Sequence, residues 1–121
     1  MIWIVIVLAG GFGALARYEM IGLVQRRVRD PRPWGTFVVN VSGAALLGFV
    51  VGSAPDAWWV LPVTAGFLGG YTTFSTWMVE TIYLAESGGA AGIRSGIWNV
   101  AGTLVIGAGV AGIGLLVGMM I

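Results

Sequence analysis

Four stretches of this chain, Met1–Ala16, Pro33–Pro55, Ala57–Val79 and Ser95–Ile121, contain no charged side chain. A helix needs about 20 residues to cross a hydrocarbon core roughly 30 Å thick. With its flanking residues each stretch meets that length, and four of them with short connections take up all 121 residues. Only 9% of the residues are charged, whereas a soluble domain uses about 25% to cover its surface. Water therefore cannot be the solvent for most of this surface. The expectation is an all-α membrane protein, a single transmembrane domain over 1–121 with helices near 2–25, 34–53, 58–86 and 92–120.

The apolar start lacks the basic residues that open a signal peptide, so Met1–Ala16 is expected to be a retained first helix. Cysteine and histidine are absent, which removes thiol chemistry, nucleophile–imidazole pairs and the usual zinc sites. No enzyme and no nucleic-acid partner is expected. The run Ala9-Gly10-Gly11-Phe12-Gly13-Ala14-Leu15-Ala16 imitates a dinucleotide-binding fingerprint. It lacks the strand, the βαβ unit and the later acidic residue that such a motif needs.

The third span is the unusual one. Gly66, Gly69 and Gly70 interrupt it, and Thr72-Thr73-Phe74-Ser75-Thr76 follows. Glycines beside hydroxyl residues predict a break near the middle of the helix, tolerated at membrane depth only where protein or a polar cavity covers it. If the helix resumes, Phe74 and Trp77 share a face at i,i+3. Their ring edges, the positive part of the quadrupole, can attract an anion or simply pack. Most of the 21 glycines suit close helix packing, as in Gly48-x-x-x-Gly52 and Gly114-x-x-x-Gly118.

Three polar residues have two readings each. Arg17 and Glu19 either lie within the membrane, where ionisable groups are functional by default, or snorkel to its interface. Asn40 either joins two helices by a hydrogen bond or lends its amide donors to a polar path. All six arginines (Arg17, Arg26, Arg27, Arg29, Arg32, Arg94) fall on or toward the side of the 1–2 and 3–4 loops. The positive-inside rule makes those loops cytoplasmic, in a multi-pass protein of the plasma membrane.

Taken together, three ordered motifs resemble the Fluc (CrcB-type) fluoride channel family along nearly the whole chain. They are Gly10-Gly11-x-Gly13-Ala14-x-x-Arg17-Tyr18, then Gly35-Thr36-x-x-Val39-Asn40-x-x-Gly43, then Gly66-Phe67-x-Gly69-Gly70-x-Thr72-Thr73-Phe74-Ser75-Thr76. The resemblance implies an antiparallel, dual-topology-like dimer in the bilayer, with two narrow pores that export cytoplasmic fluoride passively and so relieve its toxicity. It implies a structural Na⁺ at the dimer centre, held by backbone carbonyls of Gly69 and Thr72. It assigns Asn40 and Phe74 to the pore, Glu80 to the vestibule, and Arg17 to guiding anions at the cytoplasmic mouth. The second pore aromatic is Trp77, which adds an indole N–H. In the fourth span Asn99 and Thr103 align with the family's hydroxyl track, followed by Gly107. Thr36, Ser75 and Thr103 would supply hydroxyl donors along the fluoride path.

The one-sided arginines suit a single orientation, so the second, inverted subunit is either the same chain or a sister chain of opposite charge bias. Two other functions compete with this one. A small proton-coupled multidrug exporter needs a carboxylate in its first helix, and only Glu19 is available. A non-transporting scaffold would explain the glycines and leave the break without a purpose.

Overall fold

The computed structural model describes all residues, 1–121, and is wholly helical. Helix α1 (Ile2–Val28) carries Arg26 and Arg27 in its last turn, where positive side chains complement the negative end of the helix dipole. It stops at Arg29, whose left-handed backbone (φ 52°) turns its N–H onto the Gln25 carbonyl at 3.2 Å. Gln25 then shapes the loop. Its Nε2 donates to the carbonyls of Asp30 (3.1 Å) and Arg32 (3.2 Å), and its Oε1 accepts the Gly35 N–H (2.9 Å).

The Asp30 carboxylate accepts from the Arg32 guanidinium, with Nη2 at 2.6 Å, and from the Arg32 N–H at 2.9 Å. These bonds hold the Asp30 carboxyl well below the usual carboxylate range. The guanidinium also lies over the Trp34 ring, 5.4 Å from its centroid. A charged loop is thus turned back on itself directly beside the start of α2.

Helix α2 (Trp34–Ser53) lies against α5 (Gly89–Met119) in the most extensive packing of the fold. Gly48 and Gly52 of α2 face the backbone of Ala111 and Leu115, while Gly114 and Gly118 of α5 face Ala45 and Phe49. A methyl group at any of the four would meet a carbonyl of the opposite helix. The two small-residue motifs do what their spacing suggested: they bring two backbones together where lipid gives no hydrophobic drive.

The third span is two helices. The first, α3, is a π-helical stretch over Pro62–Leu68 that tightens into a single turn, Gly69–Tyr71. The second, α4, is Ser75–Glu86. Between them Thr72 is extended (φ −76°, ψ 158°). The break expected from the glycine–threonine run is there. The sequence predicted ordinary helix from near Trp58, and the finding differs: residues before Pro62 include a turn, and the span opens wide-wound. Proline lacks an N–H to give to the preceding turn, and π-bulges inside helices are frequent at functional sites.

Helices α1, α2 and α5 are each long and apolar enough to cross a membrane. The broken pair α3–α4 makes the fourth crossing, because Arg32 and Pro33 of the first loop and Ser95 near the start of α5 line one cavity at the same end.

Candidate functional site

The break is held from both sides by the first two helices. From α2, Asn40 makes a reciprocal pair with the Thr73 peptide: Nδ2 donates to the Thr73 carbonyl at 2.9 Å, and Oδ1 accepts the Thr73 N–H at 2.8 Å. From α1, the Arg17 guanidinium donates through Nη1 to the Thr72 carbonyl at 3.1 Å. The Thr72 hydroxyl and N–H both return to the Leu68 carbonyl, each at 2.9 Å. The Thr73 hydroxyl accepts the Thr76 N–H, in the first turn of α4, at 3.3 Å. Peptide groups that a continuous helix would pair internally are paired instead with side chains, as low-dielectric surroundings demand. Gly43, in the turn after Asn40, has no side chain because the Thr72 methyl group occupies that space.

Beside the break lies an open groove of about 510 Å³, lined among others by Asn40, Gly69, Thr72, Phe74, Trp77 and Thr103. Six of the sequence-predicted residues thus share one groove. Only one amide hydrogen of Asn40 is taken by Thr73, and the second has no protein acceptor. The Thr103 hydroxyl is buried with no hydrogen-bond partner, in a residue only 6% exposed. Phe74 is 71% exposed and meets Trp77 edge-on, centroids 5.9 Å apart at 77°. The shared face predicted for this pair is real.

Trp77 is 6% exposed. Its indole N–H, counted from sequence as an extra donor, is given to the Asn99 carbonyl at 3.3 Å. Asn99 in turn donates through Nδ2 to the Thr81 hydroxyl (2.9 Å), which donates to the Trp77 carbonyl (2.8 Å). This small ring of bonds ties α4 to α5. A neutral hydrogen bond of this kind contributes about 1 kcal/mol, so Trp77→Phe is expected to lower the thermal midpoint slightly and measurably. An unchanged midpoint would mean that the bond adds nothing.

Thr36 and Glu80 form a separate pair. The Thr36 hydroxyl, in a residue 1% exposed, donates to Glu80 Oε1 at 2.9 Å, and Glu80 Oε2 is buried without a partner. Ser75 starts α4, is exposed, and does not line the groove. Arg17 sits at the break, bonded to Thr72, apart from the loop arginines. Glu19 is exposed. Sequence reasoning gave Thr73 and Thr81 no role. Both act through groups distant in sequence, Thr73 through Asn40 and Thr81 through Asn99, and nothing local marks either.

The same network bears on a cation. In an unbroken helix the Gly69 carbonyl would accept the Thr73 N–H. That N–H goes to Asn40, so the Gly69 oxygen is freed beside the groove. The Thr72 oxygen keeps one lone pair once Arg17 is counted. Two carbonyl oxygens per chain suit a hard monovalent cation, with a guanidinium as neighbour. No cluster of acidic side chains able to hold a metal is present.

A groove with one spare amide N–H, one unpartnered hydroxyl and an exposed aromatic ring, and with no charged side chain among its lining residues, can replace part of a small anion's hydration without trapping it. Comparison with known proteins points the same way. The model of the family described as CrcB-like protein, Camphor Resistance (CrcB), matches residues 4–118. The chain is similar to the fluoride-specific ion channel FluC 2 of Mycolicibacterium paratuberculosis, 43% identical over 113 residues, covering 93% of this chain and 90% of that one. It is 42% identical over 113 residues to FluC 2 of Mycobacterium tuberculosis (strain H37Rv), covering 93% and 87%. FluC of Solibacter usitatus is 39% identical over 110 residues, covering 87% and 88%.

Proposed function

This chain belongs to the CrcB-like family, and from that membership we infer that it is a membrane channel passing fluoride passively out of the cell. The observation that carries the reading is the groove beside the break, where the spare N–H of Asn40, the orphan hydroxyl of Thr103 and the exposed Phe74 converge. Fluoride is small and strongly hydrated, so fixed donors must stand in for its water. Uncharged donors do this while leaving the ion mobile. Thr36 and Glu80 extend the polar route toward the arginine-bearing end as a vestibule, Ser75 offers a hydroxyl at the head of α4, and Arg17 adds positive field. The exporter and scaffold alternatives lose their ground with the family assigned.

The groove is open along one side and lined partly by Gly107, Ala108 and Ala111 of α5. That small-residue face supports a dimer whose second, antiparallel subunit closes the pore, and the bilayer covers the remaining apolar surface. The arginine loops are assigned to the cytoplasm. Their one-sidedness supports a sister chain of opposite bias as the second subunit. Na⁺ would be held at the dimer centre by the Gly69 and Thr72 carbonyls, where it would join the two breaks and add positive field.

Fluoride-electrode recording from liposomes tests this reading. Efflux is expected without any proton gradient, and Phe74→Ile should reduce it at least tenfold. Fluoride retained in the vesicles, or released only under a proton gradient, would overturn the channel. Full conduction by this chain expressed alone would make the dimer a homodimer.

A further inference from the structure

We propose that the Arg17 guanidinium and the sodium ion compete for the Thr72 carbonyl, so that Arg17 sets the sodium affinity and stands in for the ion when it is absent. The proposal rests on the sodium reading above and deepens it. Its basis is the 3.1 Å bond from Arg17 Nη1 to the Thr72 oxygen, one of the two carbonyls named for the ion. The Thr72 peptide lies in the extended link between α3 and α4, so its carbonyl has no following helical turn to pair with. Left bare there it would be costly. A guanidinium satisfies it with a fixed, planar set of N–H donors.

A carbonyl oxygen has a second lone pair, which leaves room for a metal ligand. Two cations drawn to one oxygen repel each other, and the repulsion is strong where water is scarce. Linkage makes the effect mutual: whatever Arg17 takes from sodium binding, bound sodium takes from the Arg17 contact. Nearby residues do not relieve the conflict. The Asn40 Oδ1 already accepts from the Thr73 N–H, and the only carboxylate of α4 near the path, Glu80, accepts from Thr36. Arg17 is in this sense a positioning residue: it fixes the break, and the break fixes the groove.

The test is thermal unfolding of the purified channel, with any sister subunit co-expressed, titrated with NaCl against choline chloride at constant ionic strength. The wild-type midpoint should rise with sodium. In Arg17→Gln the half-saturating sodium concentration should fall at least tenfold, and without sodium this variant should melt below the wild type. Because the substitution removes a contact at the break, the variant is purified in high sodium before titration. Sodium stabilising both proteins with the same half-point would overturn the competition and leave the sodium reading standing. If neither protein responds to sodium, the sodium reading fails and the proposal with it. The wild type gives a second readout without mutation. Saturating sodium should raise labelling of Arg17 by an arginine-selective dicarbonyl at least threefold relative to Arg94. Labelling of Arg17 that ignores sodium also overturns the proposal.

Discussion

Asn40→Asp is expected to abolish fluoride efflux, at least a hundredfold below wild type in the liposome assay, although the side chain keeps its shape. One carboxylate oxygen can still accept the Thr73 N–H. The other replaces Nδ2 and faces the Thr73 carbonyl, acceptor against acceptor, at the 2.9 Å now spanned by a hydrogen bond. Leaving a buried polar group unpaired costs about 1–3 kcal/mol, and more when it is charged. The new negative charge also stands where fluoride must pass, and the N–H left to greet the ion is gone. Two effects therefore add: a loosened break and an anion facing an anion. Efflux within a few-fold of wild type would remove Asn40 from the conduction path.

Gly70→Ala is expected to prevent assembly of the folded protein. A methyl group there would run into the Gly10 carbonyl on α1, backbone against backbone. The neighbouring contact is equally close, since Gly13 of α1 faces the Phe67 carbonyl of α3. Overpacking with movable side chains costs about 1–3 kcal/mol. Here neither side can give, and separating the helices would pull Arg17 away from Thr72. The readout is the yield of monodisperse protein on size exclusion together with its thermal midpoint. Gly109→Ala is the matched control: its methyl group meets nothing within 4 Å, and alanine favours helix by up to about 1 kcal/mol. Equal behaviour of the two variants would show that α1 and α3 can slide apart.

How far these features could be read from the chain depends on how local their causes are. The neutral stretches and the Gly69-Gly70 pair followed by threonines are local, and they located the spans and the interruption. The small-residue spacings of α2 and α5 are also local. The partner of Asn40 was not legible, because it binds a peptide group and every residue has one. The fate of the Trp77 N–H was hidden for the same reason. Its acceptor is the backbone of Asn99, 22 positions away. The partner of Arg17 was hidden likewise: it is the peptide carbonyl of Thr72, 55 positions away. The π-helical opening of that span, which begins at Pro62 and lies against α1, has no local signature beyond the proline.

The link between α3 and α4 is completed by groups that come from earlier in the chain, Arg17 and Asn40. This imposes an order on biogenesis. If the third span entered the bilayer by itself, the peptide groups around Thr72 and Thr73 would be bare in hydrocarbon, at several kcal/mol each. The first hairpin must already be seated before the ribosome delivers residues 62–86 to the membrane. The unwound segment then takes its final shape by docking onto a surface that was made first.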